Sequence, residues 1–182
     1  MNNLNINLNH AANYLVQLFY KTNQRYSCTR TKIGKLLSIV AFKYAREGKL
    51  AFAETIYKYD HCGTAIKEVM HRFRDREIYS LCVYKDNAKP ITDKLNEKAY
   101  IPDNFSNIEA LSDEAKEIIE SVFFSFGAFS PADLGECINP IVNLDGVTIA
   151  DNHINISEIA KLYLNDFPAE HLNNPLLKFL LE

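Results

Sequence analysis

Apolar residues recur at helical spacing through much of the chain. The clearest run is Ile33, Leu36, Leu37, Val40, Ala41 and Tyr44, which sit at i, i+3, i+4, i+7, i+8 and i+11 and form one continuous stripe. Thr31 is placed to cap the start of that helix, and Gly48 is suited to the left-handed conformation that ends one. Lys43, Arg46 and Lys49 fall near its C-terminus, where the helix dipole favours cations. An earlier helix is predicted from a cap at about Asn9 to about Tyr20, with Ala11, Tyr14, Leu15 and Leu18 on one face.

The pattern changes after Gly48. Leu50 to Tyr59 reads as a strand or extended segment, because Thr55, Ile56, Tyr57 and Tyr59 favour pleated structure. Gly63 breaks the chain, and a short helix is predicted from about Thr64 to Phe73. Glu77 to Tyr84 is rich in strand formers. Residues 86–111 lack periodicity and contain Pro90 and Pro102, so they read as a long internal loop. Ser112 then caps a helix whose stripe is Ile118, Ile119, Val122, Phe123 and Phe126, with Gly127 at its end. Ser130-Pro131-Ala132-Asp133 starts another, expected to stop near Ile138 ahead of Pro140. Asp145-Gly146 marks a turn, and Ser157 is expected to cap a helix reaching Leu164. Asn174-Pro175 opens a last apolar helix, Leu176 to Leu181, which docking onto the core would bury. The fold class expected is mainly α (α+β): a single helical domain over 1–182 with a small antiparallel β element. Residues 165–182 form a C-terminal helical extension of it.

A length of 182 residues with 47% hydrophobic and 24% charged residues fits a globular domain with a real core. The chain has no apolar run of 18 residues and no secretory pattern at its N-terminus. Cys28, Cys62, Cys82 and Cys137 are dispersed, which fits free thiols in a reducing compartment. A cytoplasmic location and no membrane partner are therefore expected. The charge is uneven. Residues 1–90 carry 15 Lys and Arg against 7 Asp and Glu, a net of +8, and residues 91–182 carry 5 against 16, a net of −11. The simplest account is attraction between two halves folded on each other. A basic face offered to an acidic partner is the sharper one.

The chain has no GxxxxGK[ST], GxGxxG, HExxH or GxSxG, and its six glycines are scattered. Asp60-His61-Cys62-Gly63 is the one cluster with chemical potential, as thiolate chemistry or, with His71, as metal ligands. Adjacent side chains in extended backbone point to opposite faces, and the spacing fits no standard zinc site, so a turn is the better reading. No catalytic residue, metal or cofactor is expected. Arg72, Arg74 and Arg76, with Lys67 and His71, make one basic cluster. Lys21, Arg25, Arg30, Lys32 and Lys35, interleaved with Tyr20 and Tyr26, make another. Charge runs of this kind are usually solvated faces.

Several segments taken in order resemble the Panacea domain, the SocA-like family of antitoxin and phage-associated proteins. They are Lys32-Ile33-Gly34-Lys35-Leu36-Leu37, Tyr44, Gly48-Lys49-Leu50-Ala51-Phe52 with Glu54 and Ile56, and Gly63 opening the next helix. Leu111-Ser112-Asp113-Glu114-Ala115, the run Ile119 to Gly127, Phe129 to Leu134 and Ile156 to Leu164 continue the match across about residues 9–164. Gly63-Thr64-Ala65 stands where the family has Gly-Pro-Val, and the family's tryptophans are absent. The resemblance implies an interaction protein, not an enzyme: an antitoxin that neutralises a partner toxin by direct contact. The partner-binding residues expected from family position and charge are His61, Cys62, Gly63, Arg72, Arg74 and Arg76. The runner-up readings are a phage or prophage protein that inhibits or redirects a host factor, including as a proteolytic adaptor, and a DNA-binding regulator. An enzyme using His61 and Cys62 ranks below them.

Overall fold

The computed structural model describes residues 2–3, 6–22, 28–53, 56–59, 63–66, 68–69 and 110–182. Among these, six α-helices and two small strand pairs form a mainly helical fold with a small β element. Helix α1 spans Leu8–Lys21 and α2 spans Arg30–Arg46. Strands β1 (Asn2–Asn3) and β2 (Lys49–Leu50) pair in parallel. Strands β3 (Ile56–Tyr59) and β4 (Gly63–Ile66) form an antiparallel hairpin, with Ile56 opposite Ile66 and Tyr59 opposite Gly63. Helices α3 (Asp113–Phe126), α4 (Pro131–Val142), α5 (Ile156–Ala160) and α6 (Pro175–Leu181) follow.

Helix α2 is the hub. It packs against α1, α3, α4, α5, α6 and β4. The sequence stripe predicts one buried face, yet residues 31–42 are buried on every side. A helix enclosed all round has no solvated face, so its polar residues go inside with it. Lys32, Lys35 and Ser38 are 1%, 2% and 0% exposed. Their burial corrects the expectation of a solvated basic face at these positions.

Helix ends follow local chemistry. Ser112 Oγ accepts from Ala115 N at 3.2 Å, and Ser130 and Asp133 form a reciprocal capping box at 3.1 Å in both directions. Asn174 Oδ1 accepts from Leu176 N and Leu177 N. Caps at α1 and α2 fall two residues before the expected ones, on Asn7 and Thr29. Gly48 takes the left-handed conformation expected of it, at φ 72°.

Four expectations are corrected. Gly63 does not open a helix: it starts β4 at φ 70°, and 64–66 are strand. Helix α4 runs past Pro140 to Val142, with Cys137 O receiving Asn174 Nδ2 at 2.9 Å beside the missing proline N–H. The segment after Asn155 makes only the five-residue α5, then a 3₁₀ turn at Leu164–Asp166. Ser157 Oγ spends its hydrogen bond on Asn155 Oδ1 at 2.7 Å instead of capping. The last helix is docked, with Leu176, Leu177 and Leu180 at most 3% exposed. Of the rest of the expected 64–73 helix, Glu68 and Val69 are helical; its other residues, the Glu77–Tyr84 strand and most of the 86–111 loop lie outside the described residues. No helix among the described residues is long and apolar enough to cross a membrane.

Candidate functional site

Two places hold chemistry that the packing of the fold does not require. The first lies where the N-terminal turns of α2 meet β4 and the start of α4. Thr29 caps α2, its Oγ1 accepting from Lys32 N at 3.3 Å, and no acidic residue stands in that first turn. The Lys32 ammonium lies over the Phe19 ring, 5.1 Å from its centroid. Among the described residues it makes no hydrogen bond or ion pair. Burial pushes its pKa down from 10.5 to about 8, against the opposing pull of Cys28 and Asp133. Asp133 is engaged by its capping box, and those hydrogen bonds hold its carboxyl below the usual range.

Lys35 follows three residues later on the same side of α2. Its ammonium lies between two glycines: a Cβ on Gly63 would meet it at 2.9 Å, and one on Gly135 at 3.4 Å. Thr64, next to Gly63, is fully buried, and its Oγ1 has no hydrogen-bond partner. Glu68 Oε2, two residues past β4, is likewise buried and unpaired.

The second place is on the opposite, C-terminal part of the chain. Tyr163 and Leu164 are consecutive and 66% and 54% exposed. Tyr163 edges a groove of about 450 Å³ whose wall includes Asp145, Glu158 and Asp166. Its one cation, Lys161, is paired with Glu158 at 2.7 Å. A neighbouring groove of about 500 Å³ shares Leu144 and carries Glu136, Glu170 and His171. Both are acidic on balance, in keeping with the negative second half of the sequence.

Of the expected partner-binding residues, Gly63 is placed against Lys35. His61, Cys62, Arg72, Arg74 and Arg76 lie outside the described residues. From the second basic cluster, Lys32 and Lys35 are buried, Lys21 is exposed, and Arg30 is half-buried. Other cations of the first half are spent on the second half. Lys49 pairs with Glu114 at 2.5 Å, Arg46 Nη1 donates to the carbonyls of Ala160 and Leu162, and Lys43 Nζ donates to that of Phe179. Sequence reasoning missed the Tyr163–Leu164 edge, because it placed both residues in a helix. Cys28 and Cys137 are buried thiols, neither in a disulfide. Among the described residues no group of three or more His, Cys, Asp or Glu is placed to hold a metal ion. No family model, no curated protein and no solved structure matches the chain.

Proposed function

We propose that this chain is an antitoxin-like protein that neutralises a partner toxin by direct protein–protein contact. The resemblance to the Panacea domain supports the class. The observation that carries the contact is Tyr163, exposed at the edge of an acidic groove, with the exposed Leu164 next to it in the chain. Aromatic and aliphatic anchors beside a polar, charged rim are the usual make-up of an interface. The complementary surface is basic with an apolar pocket, and opposite charge speeds its encounter. The DNA-binding reading loses ground on the cations it would need: Lys32 and Lys35 are buried, and Lys43, Arg46 and Lys49 are held by protein groups.

The test is co-expression with the reading frame encoded beside this gene, in cells where that frame alone arrests growth. The chain is expected to restore growth and to co-elute with the toxin in gel filtration. Tyr163→Asp with Leu164→Asp is expected to abolish both without changing thermal stability, since both side chains are mostly in water. Failure of the chain to rescue growth or form a complex would sink the antitoxin reading. Full rescue by the double variant would move the contact elsewhere, with His61–Gly63 and Arg72–Arg76 next in line.

A further inference from the structure

We infer that the groove edged by Tyr163 and the groove beside it form one docking trough for an extended, arginine- or lysine-rich peptide segment of the partner. The two grooves, of about 450 and 500 Å³, share the wall residue Leu144. Pro140, Leu144 and Pro168 give the larger one an apolar lining between Glu136 and Glu170, and among the described residues no Lys or Arg lines it. The balance of charge names the occupant. Together the linings bring five carboxylates, Glu136, Asp145, Glu158, Asp166 and Glu170, against Lys161. Two further cations reach the walls: Lys58 Nζ donates to Asn143 Oδ1 and Arg46 Nη1 to Leu162 O, each at 2.5 Å. Five against three leaves the trough negative, and His171 adds a positive charge only when protonated. Glu158 is engaged with Lys161 at 2.7 Å, and Asp166 Oδ2 accepts from Tyr163 N. Glu136 and Asp145 make no hydrogen bond or ion pair among the described residues, and Glu170 has only His171, at 3.8 Å. Opposite charge selects a basic occupant, and guanidinium meets carboxylate through paired hydrogen bonds. The same carboxylates repel the phosphates of a nucleic acid. The uncharged polar groups select a peptide. Asn139 and Asn173 line the larger groove with side chains that make no hydrogen bond among the described residues. A carboxamide offers one acceptor and two donors, which matches the main chain of an extended segment. Glu136, Asn139 and Asn143 stand at i, i+3 and i+7 on α4 and span about 10 Å of wall, the reach of roughly three extended residues. Tyr163, 66% exposed, gives the smaller groove an aromatic face on which a cation can rest. The inference rests on the partner-contact reading and gives that contact its chemistry.

The experiment is fluorescence anisotropy of the full chain with a labelled peptide of alternating arginine and alanine, beside the same peptide with citrulline for arginine, which keeps the size and removes the charge. The arginine peptide is expected to bind, and to bind more weakly as salt rises. Glu136→Gln with Glu170→Gln is expected to weaken it about tenfold or more. Glu117→Gln with Asp151→Asn removes as many charges outside the trough and is expected to leave affinity within about twofold. All four side chains are exposed, so both variants are expected to keep the circular dichroism and unfolding midpoint of the wild type. Equal binding of the citrulline peptide, undiminished affinity in the Glu136 and Glu170 variant, or the same loss in both variants overturns the trough. So does the absence of binding by the arginine peptide; where the chain still rescues growth, that result leaves the antitoxin reading standing. Peptide binding in the expected pattern by a chain that rescues no growth supports the trough and sinks the antitoxin reading alone. A concentration-dependent dimer that the arginine peptide dissociates would seat a second copy in the trough and overturn its assignment to a partner.

Discussion

Lys43 Nζ donates a 2.9 Å hydrogen bond to the carbonyl oxygen of Phe179, in the last turn of the C-terminal helix, and lies 4.9 Å from the centroid of the Phe179 ring. One side chain on the central helix thus satisfies a carbonyl that α6 leaves open at its end and rests on the aromatic ring of the same residue. One turn further along α2, Arg46 Nη1 does the same for the carbonyls of Ala160 and Leu162, at 3.0 and 2.5 Å. The cations that would suit the dipole of α2 itself are used to anchor the chain's closing segments.

Removing either anchor is expected to loosen the C-terminal segments first. Lys43→Met should cost about 1 kcal/mol, the worth of one hydrogen bond to a charged donor less the apolar stem that Met retains. Arg46→Met leaves two carbonyls without a donor and should cost roughly 2 kcal/mol or more. Urea unfolding gives the totals, and amide exchange of 156–181 should rise ahead of the α1–α2 amides.

Asn174 works at both ends of its side chain, capping α6 through Oδ1 and reaching Cys137 O through Nδ2. Asn174→Ala should lower stability by about 1–2 kcal/mol, a lost cap plus a lost hydrogen bond. Asn174→Asp keeps the acceptor and loses the donor, so it should fall between wild type and Ala. An Asp variant as unstable as Ala would assign the effect to the Cys137 bond alone.

Gly63→Ala meets two obstacles. The backbone φ of 70° disfavours any side chain, and the new Cβ would lie 2.9 Å from the Lys35 ammonium. The expected loss is about 1–3 kcal/mol. Lys35→Met with Gly63→Ala should show coupling in a double-mutant cycle, because the clash involves both.

The Lys32 ammonium predicts a rise of stability with alkalinity. Its folded pKa, about 8, lies below the ordinary 10.5. Between these values the unfolded chain binds the proton and the folded chain does not, so stability increases as pH rises above 8. The slope cannot exceed about 1.4 kcal/mol per pH unit for one proton. Cys137, raised by burial, opposes this above its ordinary 9.0, and Tyr14 and Tyr44, both pushed up to about 12 chiefly by burial, oppose it above 10. Denaturant midpoints should therefore climb from pH 8 to 9 and then level. Lys32→Met should flatten the climb and stabilise the fold at pH 7, since an apolar isostere removes a buried charge.

What the sequence by itself determined is local. The periodic stripes placed α1, α2, α3 and α6, and Ser112, Ser130 and Asn174 marked their helices because a cap needs only the next three residues. The charge asymmetry was legible too; Lys49–Glu114 is an ion pair between the halves, while Lys43 and Arg46 cross to main-chain carbonyls. Tertiary structure decided the rest. Thr55, Ile56, Tyr57 and Tyr59 signalled strand before Gly63, but only pairing with β3 made 63–66 strand instead of helix. Lysine as a residue type points to water, and Lys32 and Lys35 are inside because five helices and β4 close around α2. Tyr163 and Leu164 are outside because α5 ends after one turn and a half. Burial is a property of what packs from elsewhere in the chain, and residue spacing along one helix carries no record of it.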